Sequence, residues 1–506
     1  MDAWSKPDRE RLRLDAAAVI CGRAGEDAVA SVVLERPQRS QRIACDDPAI
    51  AARIAAFLEW LRLPGAQRAP FDDPDWDETG IEPDLLSWLD ANAWLAPQAE
   101  DAAAQALDAQ RAIIADRIEA AVAALIEIGD EDARTRLRTA LAGFVGVEDA
   151  HRDPLRAAAA EASQELAALR LSLGYYALNA PMLCAALRAA SAIALRRLGA
   201  DVAAVAPPTA FAETDPVALE IALTQWHAFL LRAATAPRPL MCADLDPRAL
   251  GLCLAPASGA RFAHEAEVFA DAALERLGAN PYLARLRALD DGRHPLLAGL
   301  AIEEFHVTRR FVEIIAPMLC RRLPVDLRAL MFRYYAEEVG HEAFEEDTCV
   351  AHGIDRDRLH ASLPLPLHAT FVDAFTAAAQ HRPLAFLCAV MVTEGLFARP
   401  SPLGERVRTL SDDIEAVRAV CSRHNELNEC LHHDTITRHA LGRIEVVDAE
   451  ARADALRGMA LLLELNARTW EDLVAFYDAS PELAMHGFLG RRVEAPRGRT
   501  AAPAGT

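Results

Sequence analysis

Apolar residues recur along most of this chain at alternating steps of three and four, the period of a helix with one buried face. The pattern predicts helices near 50–63 and 83–94, and long alanine-rich helices from Pro97 to Val145 with a break at 128–130. It continues with helices at 153–173 and 180–199, joined near Gly174, and at 217–235. Beyond Arg261 the pattern sharpens into seven helices, near 262–277, 295–322, 325–351, 367–380, 383–398, 412–441 and 449–478, separated by Gly, Pro and Asn. One valine-rich piece, Ala28 to Leu34, reads as a strand inside an otherwise polar first 50 residues. The stretch 237–260 holds four prolines and two glycines and marks a boundary. The predicted organisation is all-α. A helical N-terminal domain over 1–240, a scaffold or dimerisation unit, is followed by a linker over 241–260, a compact helical bundle over 261–480 and a polar tail over 481–506.

Four of the bundle helices interrupt their apolar stripes with metal-ligand side chains. Leu297, Ala301, Glu304, Thr308, Phe311 and Ile315 share one face, with Glu304 the only charge on it. Its neighbours Glu303 and His306 fall off that face and are expected in solvent. Leu327, Met331, Tyr334, Glu338, His341 and Glu345 form a second face, which places a carboxylate and an imidazole one turn apart. Glu394 is the only charge between Arg382 and Arg399, on a face with Leu384, Leu387 and Met391. The fourth stripe carries His424 and Asn428, with His432 just off it and Glu429 and His433 as alternatives if the register rotates. A buried carboxylate is costly unless it is protonated, salt-bridged or bound to a cation. Three carboxylates and three imidazoles without a thiolate suit iron or manganese better than structural zinc. Glu338 and Glu394 are the residues expected to carry the chemistry.

Composition narrows the alternatives. Among 506 residues the net charge is −22, which argues against a nucleic-acid surface or a basic membrane-binding face. Lys6 is the only lysine, so a P-loop, a kinase lysine or a Schiff base to pyridoxal phosphate has no residue to use within the helices. Ten cysteines are scattered without a C-x-x-C pair, there is no apolar export signal, and no uncharged apolar run reaches the roughly 18 residues of a membrane span. The expectation is a cytoplasmic protein with free thiols.

At these residues the chain resembles the heme-oxygenase-like di-iron oxidases and oxygenases, over about 262–480. Glu304, Glu338, His341 and Glu394 match their order of Glu, Glu with a nearby His, and a later Glu; His424 begins their closing His-x-x-x-Asp-x-x-His motif. Asn428 and Leu431 depart from that motif, and His432 stands one place on. The resemblance implies a heme-oxygenase-like helical bundle binding two Fe(2+) per chain, the second site the weaker. It further implies O2 as co-substrate and an amino acid or amine as substrate, undergoing N-oxygenation or oxidative C–C cleavage in specialised metabolism. An external reductant and a homodimer belong to the same expectation. Tyr334 is placed to hydrogen-bond a ligand or to pack, and Arg309, Arg310 or Arg333 to bind a substrate carboxylate. Three other readings compete. One is a metal-free enzyme of the thiaminase or quinone-cofactor-synthase kind, one a heme protein using His264, and one a helical scaffold whose buried Glu and His satisfy each other.

Overall fold

The structure, a computed structural model, describes residues 12–14, 18–24, 29–36, 39–63, 71, 81–92, 94–97, 99–145, 153–205, 208, 216–242, 244–252, 255–394, 406–407, 409–410, 435–479 and 481–494. The chain forms two compact units, Met1–Ile113 and Ile114–Thr506.

In the first unit, β1 (Leu12–Leu14) pairs antiparallel with β5 (Leu95–Pro97). Strands β2 (Ala18–Ala24), β3 (Val29–Arg36) and β4 (Arg39–Cys45) make an antiparallel meander, with Val32 opposite Cys21 and Ile43. Val32 and Leu34, two residues apart on one face, are buried together with Phe57, Leu58 and Leu61 of α1 (Pro48–Arg62). Asp47 caps α1 by accepting the Ala49 N–H at 2.7 Å, and α2 (Glu82–Ala91) completes the small core. The expected helical N-terminal domain thus begins with sheets. The valine-rich alternation was one strand of three.

From α3 (Ala99–Ile126) to α8 the chain is helical: α4 (Glu131–Val145), α5 (Pro154–Ala159), α6 (Gln164–Asn179), α7 (Pro181–Arg197) and α8 (Pro216–Thr235). The junction expected near Gly174 falls at Ala180, with α6 running through the glycine, and a further break at 160–163 divides the first expected helix. Gly174 is there for close approach, because a Cβ would collide with Pro154 of α5. Leu169, Trp226 and Phe229 of these helices share one core with Phe262, Phe375 and Met459. The boundary expected at 241–260 therefore lies inside the second unit. The segment is pinned rather than free. Glu464 accepts the N–H groups of Met241 at 2.7 Å and Cys242 at 2.9 Å, and Ala257 pairs with Val447.

The site-bearing helices follow: α9 (Gly259–Leu277), α10 (Pro281–Arg287), α11 (Pro295–Thr308), α12 (Phe311–Leu319), α13 (Val325–Glu338), α14 (Glu342–Ala351) and α15 (Arg356–Ala361). Then come α16 (Pro366–His381), α17 (Pro383–Thr393), α18 (Ile436–Leu441) and α19 (Ala449–Tyr477). Helix α16 is the axis, buried from Pro366 to Ala379 and packed against α6, α12, α17 and α19. Each buried Phe along it, such as Phe371 and Phe375, stabilises the fold by roughly 1.5–3 kcal/mol. Two expected helices are each split in two. The break at Arg309–Arg310 follows Thr308, whose hydroxyl donates back to the Glu304 carbonyl at 2.8 Å and loosens the last turn. The break at Val339–Gly340 puts Val339 in extended backbone and Gly340 at φ +92°. The expected polar tail is also partly structured. β6 (Ala484–His486) and β7 (Arg492–Glu494) form a hairpin whose Met485, His486 and Phe488 are buried, and Leu363 donates its N–H to the His486 carbonyl. Among the described residues no helix is long and apolar enough to cross a membrane.

Candidate metal centre

Glu338 ends α13 and His341 precedes α14, so the Glu-x-x-His pair spans a helix break rather than one continuous turn. The pair still meets, with His341 Nδ1 2.8 Å from Glu338 Oε2 and both side chains buried. Gly340 makes this possible: its left-handed backbone reverses the chain in two residues, and the His341 N–H returns to the Glu338 carbonyl at 3.3 Å.

Glu394 follows the last turn of α17. It accepts a 2.5 Å hydrogen bond from the Tyr334 hydroxyl, which reaches it from one turn before Glu338. Tyr334 is buried, with its ring edge-on to Phe311 at 6.3 Å. Burial, with the nearby Glu394 and Glu338 carboxylates, raises its pKa well above the ordinary value, so it remains a proton donor. The tyrosine therefore orients a carboxylate, a role the sequence left open between bonding and packing.

Glu304 of α11, Glu338, His341 and Glu394 line a single cavity of about 210 Å³. Phe311, Phe371 and Trp470 form its apolar walls, and α19 contributes Asn466 and Thr469. Among the described residues, no three of these donors close on one point at metal-holding distance. They share a cavity, with the rest of any coordination sphere to come from elsewhere. His424, Asn428, Glu429, Leu431, His432 and His433 lie outside the described residues. The donor set is chemically suited to iron: carboxylate and imidazole, no thiolate, and no arginine among the described lining.

Glu303 and His306, expected in solvent, are buried instead. Glu303 accepts from the Tyr477 hydroxyl at 2.8 Å and from the Leu365 N–H at 2.9 Å, and burial pushes its pKa up to about 8. Gly299 permits this arrangement, since a Cβ there would collide with the Tyr477 ring. His306 meets the Ser362 hydroxyl at 3.0 Å, and burial lowers its pKa to about 3. Among the lining residues that the sequence did not flag is one imidazole: His368, in the first turn of α16, which burial holds neutral with a pKa of about 3. Its signal was a histidine inside an otherwise uncharged run, Pro364 to Phe371, where no second ligand type flagged it.

The arginines have other duties. Arg310 donates to Tyr175, Glu313 and Asp373 at 2.9, 2.9 and 3.1 Å, and Arg333 pairs with Glu337 at 2.7 Å. Arg309 lines a separate cavity of about 420 Å³ together with Tyr176, Leu183 and Ile221. His264 is exposed on α9, 3.9 Å from Glu267, a surface position rather than an axial-ligand one. In the N-terminal helices Glu161 pairs with Arg170, Glu165 with Arg238 and Glu220 with Arg117.

Residues 298–467 match the family of iron-containing redox enzymes. The matched span opens within α11, closes within α19 and contains every candidate donor named above. Among solved structures, the chain is similar to a domain of unknown function with a heme-oxygenase-like fold from Shewanella denitrificans, at 18% identity and a TM-score of 0.36, over 44% of this chain and 96% of that one. No curated protein matches.

Proposed function

We propose that this protein is a non-heme iron enzyme that uses O2 to oxidise an amine or amino acid, by N-oxygenation or oxidative C–C cleavage. In this reading Glu304, Glu338, His341 and Glu394, with His424 and His432, hold two ferrous ions per chain. One observation carries it. Four donors picked from three separate helical stripes line the same cavity, inside the span that matches the iron-containing redox enzymes.

Bound ferrous iron would supply the electrons and open coordination positions that O2 requires. The chain's own residues do the rest. Tyr334 fixes the rotamer of Glu394, and Glu338 holds the His341 ring through Nδ1. Phe311, Phe371 and Trp470 give the cavity apolar walls, while Asn466 and Thr469 offer hydrogen bonds to a small polar substrate. An ammonium group suits this acidic lining better than an isolated carboxylate does, because Arg310 and Arg333 are engaged elsewhere.

The test is to titrate anaerobic protein with ferrous iron, count the bound metal, then admit O2 in the presence of a panel of amines and amino acids. Uptake near two irons per chain and substrate-dependent O2 consumption are expected. A parent protein that takes up no iron specifically would overturn the reading and leave the metal-free enzyme as the next hypothesis.

A further inference from the structure

We propose that His368 is an additional metal donor of this cavity and that Glu303 is the residue that positions it. The inference rests on the iron reading above but concerns residues that reading does not use. His368 is more than nine-tenths buried and lines the cavity shared by Glu304, Glu338, His341 and Glu394. Its Nδ1 is fully buried, makes no hydrogen bond, and lies 3.5 Å from Glu303 Oε2. With Nδ1 turned towards Glu303, the opposite ring edge, bearing Nε2, is the one left for the cavity.

An imidazole between a buried carboxylate and a void is how proteins prepare a histidine ligand. In its ionised form, which a cation bound to the ring favours, the carboxylate takes the N–H of one nitrogen, fixes the tautomer, and leaves the lone pair of the other nitrogen free for the metal. Glu303 is itself held at both oxygens, Oε1 by the Tyr477 hydroxyl and Oε2 by the Leu365 N–H. That is a rigid backing contributed by α19 and by the turn before α16. The 3.5 Å separation is too long for a formed hydrogen bond, and a small rotation of the ring closes it. Ligation through Nε2 would draw electron density from the ring, acidify Nδ1–H and strengthen that contact.

The test uses full-length protein loaded anaerobically with Co(II), chosen because its visible spectrum and hyperfine-shifted imidazole N–H resonances report ligands without turnover. The parent is compared with His368→Ala, His368→Gln and Glu303→Gln. A loss of Co(II) affinity of about 10- to 100-fold is expected for both His368 variants, with an altered d–d band and one shifted N–H resonance missing. Free imidazole should restore the band in His368→Ala. Glu303→Gln should keep the metal and move that same resonance, an effect a merely structural role would not produce. If the His368 variants fold and bind Co(II) with the parent's affinity and spectrum, this proposal is overturned while the iron reading stands. Should both variants fail to fold, the parent decides alone: its shifted N–H resonances either include one in contact with α16 protons or they do not. A parent that binds no Co(II) and no ferrous iron sinks both readings.

Discussion

Two buried polar clusters lie close together along α16 and its neighbours, and they are built on opposite plans. Around Asp373 the groups are matched by type. Arg310 donates to Asp373, Glu313 and Tyr175, the two N–H groups of Gln225 are shared among Ser172, Thr370 and Asp373, and Tyr176 donates to Gln225 at 2.5 Å. Donor meets acceptor across α6, α8, α12 and α16, and the buried Asp373 carboxylate is paired with the Arg310 guanidinium. Around the α11–α13–α17 cavity the residues are matched by kind instead: three carboxylates and two imidazoles beside a void of about 210 Å³. The first plan fastens helices. The second collects ligands.

The sharpest way to break the comparison is to remove one carboxylate from each cluster. Asp373→Ala takes from the Arg310 guanidinium its buried partner, leaving it Glu313 and Tyr175, and should cost roughly 3 kcal/mol in denaturant unfolding, with iron bound per folded chain unchanged. Glu394→Ala should do the reverse, abolishing iron uptake while stability falls by no more than about 1–3 kcal/mol for the lost Tyr334 bond. Equal stability losses with equal iron binding in the two variants would erase the distinction.

The hairpin histidine His486 tests whether imidazoles around the cavity are kept neutral by burial. Burial lowers its pKa to about 4, against about 6.5 in the unfolded chain. The unfolded state therefore takes the proton first. Stability that is complete above pH 6.5 should decline as pH falls towards 4, by an amount on the order of 3 kcal/mol. In His486→Gln that slope, measured by unfolding at fixed denaturant steps across the range, should flatten. An unchanged slope would place the acid sensitivity in other groups.

How legible all this was depended on what kind of signal each feature leaves. Helix α19 was predicted to within a residue or two, because its apolar stripe is long and holds no proline. Glu394 was conspicuous as a lone charge in an apolar run. Glu303 was misread for the converse reason. A stripe argument assumes one buried face, and α11 is buried on nearly all sides, so the residue beside Glu304 is buried too. The pinned stretch 241–260 looks like a linker from composition alone. Composition cannot show that the Glu464 carboxylate, more than 200 residues away, takes the Met241 and Cys242 N–H groups and pins the segment. The two helix breaks were hidden for a similar reason. Periodicity carries across a two-residue interruption when the side chains on either side rejoin the same face.

A smaller effect separates holding a ligand from being one. Tyr334→Phe keeps the buried ring and removes only the hydroxyl that donates to Glu394. It should cost about 1.5–3 kcal/mol in stability and weaken ferrous binding by at least tenfold without lowering the stoichiometry at saturating metal. Loss of a whole equivalent of iron would instead make the tyrosine a ligand in its own right.

The smallest change addresses the turn inside the Glu338–His341 pair. Gly340 sits at φ +92° with open space where a Cβ would point, so Gly340→Ala meets a backbone penalty and no collision. That penalty is roughly 1–2 kcal/mol. If the reversal is what brings His341 to Glu338, relaxation of the strain should separate the two side chains, and iron affinity should fall by more than the stability loss alone explains. Gly353, also at positive φ with open space around it but closing α14 away from the cavity, supplies the control. Gly353→Ala should show the same stability loss with iron affinity unchanged. Matching affinities in the two variants would mean that the Glu-x-x-His pair tolerates movement of its turn, and that the cavity is set by the helices rather than by the break between them.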